Sequence, residues 1–140
     1  MSVPTVIQYR IGAAVLSLAC LALLGVAAVL PPSSEGHGTH ESLGLPRCGW
    51  VAMFDAPCPT CGMTTSFAHA ADGSLLTAIK TQPAGGTLAL IVAVIAIGAA
   101  HAALTGVATF RLLSPLRRPL TLWLALASIL AAWIYKIVTW

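Results

Sequence analysis

The stretch IGAAVLSLACLALLGVAAVL, residues 11 to 30, decides the class of this fold. It contains no charged residue. At 1.5 Å rise per residue a helix of this length crosses a hydrocarbon core of roughly 30 Å. Arg10 precedes it and Pro31-Pro32 closes it, because proline cannot extend the hydrogen-bonded ladder. The apolar region of a cleaved signal peptide, about 7–15 residues, is shorter than this run. Ser17-Leu18-Ala19-Cys20 only faintly resembles a lipoprotein cleavage box, since Ser17 stands where leucine is wanted. Cys20 therefore reads as a buried helix residue.

Two further apolar runs follow the same logic. Residues 85–107 form the second spanning candidate, with His101 late in the run, expected to hydrogen-bond a neighbouring helix. Residues 120–138 form the third, with Trp123, Trp133, Tyr135 and Trp140 placed as interfacial anchors. Hydrophobic residues make up 58% of the chain and charged residues 8%, against about 25% charged in a soluble domain. The mean hydropathy of +0.90 agrees. A net charge of +3, scattered along the chain, gives no nucleic-acid footprint. The expected fold is all-α: one integral membrane domain with three transmembrane helices and a short interfacial or re-entrant helical hairpin.

That hairpin falls in the polar segment 31–84. Residues 31–46, rich in Pro, Ser, Gly and His, read as loop. Residues 45–56 carry Trp50, Met53 and Phe54 and should lie against the membrane surface or the helix bundle. Residues 63–71 and 74–80 are short apolar pieces separated by Asp72-Gly73, and Gln82-Pro83 ends the second. Asp72 is expected to cap the helical turn that follows it.

Charge suggests which side this segment occupies. Arg10, Arg111, Arg117 and Arg118 share one side if there are three spans; Arg47, Lys80 and Lys136 share the other. Cytoplasmic loops collect Lys and Arg, and the arginines are densest at 108–119. The cysteine segment is therefore expected outside the cytoplasm, where disulfides persist.

Chemistry concentrates in Cys58-Pro59-Thr60-Cys61-Gly62-Met63-Thr64-Thr65, with Cys48 ten positions upstream. Three readings compete. Cys48, Cys58 and Cys61 with His37 or His40 could ligate zinc or copper, for which thiolates and imidazoles are suited, although a second regular cysteine pair is missing. The same cysteines at a helix entry could exchange disulfides, although no strand pattern supports the usual redox fold. Or a disulfide, Cys48–Cys61, Cys48–Cys58 or Cys58–Cys61, braces the loop without turnover, which is the favoured reading. His69 could face the turn or the surface. Paired carboxylates, a serine elbow and a phosphate loop are all missing, which argues against an enzyme.

The residues Cys58-Pro59-Thr60-Cys61-Gly62-Met63-Thr64, Phe67, Asp72-Gly73-Ser74, Ala78 and Gln82-Pro83 resemble the domain-of-unknown-function family numbered twenty-seven fifty-two. These are small bacterial membrane proteins marked by a Cys-Pro-x-Cys-Gly-x-Thr turn. The resemblance covers residues 57–83. Family members often carry arginine where this chain has Thr65, and Asp72-Gly73 reverses their commoner order, so any role of that arginine does not transfer. The resemblance implies a bacterial inner-membrane location and a shared turn, with no established activity. The expected role is that of an accessory or interaction module working in the lipid bilayer against another membrane protein or a second copy.

Overall fold

The computed structural model describes residues 3–107 and 119–140. The helices are α1 (Val3–Val29), α2 (Gly49–Phe54), α3 (Met63–Ala71), α4 (Leu75–Thr81), α5 (Pro83–Thr105) and α6 (Pro119–Val138), with a 3-10 turn at Thr39–Leu43. No strand occurs among the described residues. Among the described residues three helices are long and apolar enough to cross a membrane: Thr5–Val29, Pro83–Thr105 and Leu120–Val138. The arginine-rich connection 108–118 lies outside the described residues.

The first two spans differ at their ends from the sequence expectation. α1 begins before Arg10 rather than after it, and the exposed guanidinium bonds to the end of α5. Its Nε donates to Ala103 O at 2.8 Å and its Nη2 to Leu104 O at 3.2 Å, the last free carbonyls of α5. α5 starts at Pro83, since proline suits the first helical turn, where its missing N–H is not needed. It stops at Thr105 because Gly106, at φ +74°, supplies the left-handed cap.

α1 and α5 run antiparallel on a seam of small residues. Ala13, Ser17 and Ala27 on one helix and Ala89, Ala96, Ala99 and Ala102 on the other are all buried. Small side chains let the backbones approach, which is how helices associate where lipid removes the hydrophobic drive. Ser17 Oγ donates to Ala96 O across the seam at 3.0 Å. Cys20 is half-buried on α1, less enclosed than expected, and His101 is exposed rather than set against a neighbouring helix.

α3 and α4 form the hairpin. Gly73 (φ +82°) turns the chain, with Gly73 N–H donating to Ala70 O and Ser74 N–H to His69 O. This is a Schellman stop. Asp72 is the C-cap of α3, and it does not cap α4; Ser74 is the residue at that position. Phe67 packs on Ala27 and Ala89, inserting α3 between the ends of α1 and α5. α5 receives the hairpin through Gly85 and Gly86, where an added Cβ would come within 2.9 Å of Ser66 Cβ and of Ile79 N. Ser66 is fully buried; its hydroxyl donates to Ala78 O at 2.6 Å, with Gln82 O at 3.1 Å.

α6 is fixed to the rest by polar bonds from its last turns. Trp133 Nε1 donates to Pro57 O at 3.0 Å, and Tyr135 Oη to Lys80 O at 2.9 Å. Lys136, only 5% exposed, donates from Nζ to Gly36 O and Thr81 O. The end of α6 thus closes over the polar segment.

Candidate functional site

The polar segment folds around a cleft of about 340 Å³ whose wall includes His37, His40, Cys48, Cys58 and Cys61. Every residue that the sequence nominated for chemistry in this segment, except His69, which sits half-buried on α3, therefore lines this one cleft.

Cys48 is the N-cap of α2, and its carbonyl accepts from Ala52 N–H at 3.0 Å. The Val51 N–H at this helix entry lowers the Cys48 thiol below its ordinary 9.0; burial opposes it, and Trp50 N–H and the Cys58 thiol reinforce it. Cys58 opens two successive turns, Cys61 N–H to Cys58 O at 2.9 Å and Met63 N–H to Thr60 O at 3.1 Å. These turns place Cys58 Sγ 3.7 Å from Cys48 Sγ and 3.4 Å from Thr60 Oγ1. No disulfide joins any of the four cysteines in this structure.

Cys61 sits differently. It is 7% exposed, and burial pushes its thiol up to about 11, with Cys58 adding to the rise and the Lys136 charge opposing it. Gly62 follows at φ +85° and presses on the Gly36 carbonyl, which a Cβ would meet at 2.7 Å. Behind the turn, Thr65 Oγ1 pairs with Thr39 Oγ1 at 2.8 Å, both buried, and Thr39 Oγ1 accepts from Ser33 N–H. Gln82, fully buried, reaches Pro59 O through Nε2 at 3.4 Å.

The histidines stand apart from the thiols. Nδ1 of His37 meets Glu35 O at 3.0 Å, its Nε2 lies 3.6 Å from the Glu35 carboxylate, and its ring leans on Trp140. The Glu35 backbone thus holds Nδ1 of His37. His40 is half-buried in the cleft wall. Among the described residues no three His, Cys, Asp or Glu side chains stand close enough to share one metal ion. A shared ion would need the histidine loop to move onto the cysteines.

Residues 48–96 match the family described as Protein of unknown function (DUF2752). The DUF2752 match starts at Cys48 and takes in α2, the cysteine turn, the hairpin and the first part of α5, leaving His37 and His40 outside. No curated protein and no solved structure matches the chain. The DUF2752 segment contains Cys48, Cys58 and Cys61, while Lys136, Trp133 and Tyr135 come from beyond it. Sequence reasoning passed over Lys136 as a topology charge. The available signal was a lysine inside an apolar run, where an ionisable group needs a partner.

Proposed function

We propose that this chain is a single-domain accessory protein of the bacterial inner membrane, braced by a Cys48–Cys58 disulfide on the extracytoplasmic side. The observation that carries the reading is the 3.7 Å separation of Cys48 Sγ and Cys58 Sγ. Of the three cysteine pairings open to the sequence, it favours this one. A bond would require this gap to close to about 2.05 Å. Oxidation would transfer two electrons and two protons from the thiol pair to a protein disulfide donor, which becomes a dithiol. The bond would clip α2 to the cysteine turn.

The antiparallel spans put the N-terminal end of α1 beside the C-terminal end of α5, opposite the cysteine segment. The arginines of 108–119 then favour an outward-facing cleft. The lowered Cys48 thiol supports a second reading, disulfide exchange with a partner, in which Cys48 attacks.

Mass spectrometry of protein isolated without reductant and alkylated at once tests the brace. A linked Cys48–Cys58 peptide pair with Cys61 alkylated is expected; a Cys58–Cys61 link, or three free thiols, overturns it. A membrane-impermeant thiol reagent should tag Cys48 and Cys58 in intact, reduced cells. Labelling only after lysis would reverse the orientation.

A further inference from the structure

We infer that α2 is an interfacial anchor that seats its outer face in the headgroup and upper acyl region of the bilayer. Of its six residues only Val51 turns inward, into the cleft wall. Trp50 is 44%, Met53 77% and Phe54 61% exposed, and the Trp50 and Phe54 rings meet at 5.1 Å to form one apolar surface. Leu43 and Leu45, earlier in the chain, are exposed as well.

The depth of this surface is set by α6. Trp133, whose indole holds the Pro57 carbonyl, lies five residues before the end of the span at Val138. At 1.5 Å per residue that is roughly 7.5 Å inside the helix end. Phe54 is three residues from Pro57, so the chain can carry it at most roughly 11 Å away. The interfacial layer on each side of a bilayer is itself roughly 5–8 Å thick. Tyr135 ties Lys80 at a similar level, which fixes the hairpin at the same depth by an independent bond. An apolar aromatic surface tied this close to the end of a span suits the interfacial layer, where Trp and other aromatic rings are favoured. The occupant is therefore lipid. The inference does not depend on the state of the cysteines.

The test uses the full chain in phosphatidylcholine vesicles containing a phosphatidylcholine with a diazirine on one acyl chain. After illumination, lipid adducts are mapped by mass spectrometry. Adducts on Trp50, Met53 or Phe54, alongside those on the spans, are expected, together with resistance of Met53 to a water-soluble oxidant. Adducts confined to the spans, with Met53 readily oxidised, would overturn the inference. Protection of Met53 without lipid adducts would also overturn it, pointing to a protein cover. In the double variant M53D/F54D the adducts at 49–54 should disappear while those on the spans stay unchanged. A variant that misfolds would alter the span pattern as well, so the two failures are distinguishable.

Discussion

The Lys136 ammonium donates to the Gly36 carbonyl at 3.2 Å, joining positions one hundred residues apart, and to Thr81 O at 3.3 Å. One side chain thereby fastens the last turns of α6 to both the histidine loop and the end of α4. Its long apolar stem lies along the helix while the amine reaches the polar segment.

Replacing Lys136 with Met keeps the stem and removes the donor. Two carbonyls then lose a bond, and a buried group left unsatisfied costs about 1–3 kcal/mol. The K136M variant should melt at a lower temperature in detergent and expose the Gly36 loop to protease earlier than wild type. An unchanged melt and digestion pattern would show that α6 is held by its other contacts alone.

The cysteine pair makes a prediction about equivalence. If Cys48 and Cys58 form the brace, C48S and C58S should each lower stability by the same amount, about 2–4 kcal/mol. Reducing the wild type should reproduce that loss, and C61S should be insensitive to the pairing. Exchange chemistry would look different: only the variant that keeps the attacking sulfur would retain a partner as a mixed disulfide. A fall in melting temperature on chelation would instead identify bound metal.

Cys61 gives a pH dependence. Its thiol is raised from 9.0 to about 11 in the fold, so the folded chain holds this proton more tightly than the unfolded chain. The resulting stability is fully present below pH 9 and is lost as pH rises through about 11. The melting temperature of reduced wild type should therefore fall over that window more steeply than that of C61S. Parallel profiles would show that Cys61 does not titrate differently in the two states. Alkylation at neutral pH should also modify Cys48, whose thiol is lowered, well before Cys61.

Gly62→Ala tests the closeness of the turn. At φ +85° an L side chain is strained by roughly 1–2 kcal/mol, and the new Cβ would stand 2.7 Å from the Gly36 carbonyl oxygen. Both effects act on the loop that Lys136 holds. G62A should destabilise the protein clearly, whereas alanine at Gly12, where nothing lies within 4 Å, should be tolerated. Equal melting temperatures for the two variants would refute the close approach.

Much of the architecture was legible because the bilayer imposes a length and a polarity on each crossing. The runs at 11–30, 85–107 and 120–138 were recognisable on that ground, and the Asp72-Gly73 break correctly separated α3 from α4. Their ends were less legible: Arg10 lies within α1 and bonds to the terminal carbonyls of α5, a partner that no local pattern names. His101 shows the opposite error: a polar residue in a span suggested a helix contact, yet it is exposed.

Sequence alone determined that this chain is an all-helical membrane protein with one chemically distinctive turn, because apolar length and cysteine spacing are local properties. Tertiary structure alone decided which sulfurs meet. Cys58 and Cys61 are nearer in sequence, but the turn directs Cys61 into the packed interior and brings Cys58 to Cys48. It also decided that Lys136 fastens α6 to the Gly36 loop and that Thr65 pairs with Thr39. Those partners lie in segments that no local pattern connects. They meet only because buried donors and acceptors must find one another once the spans have packed.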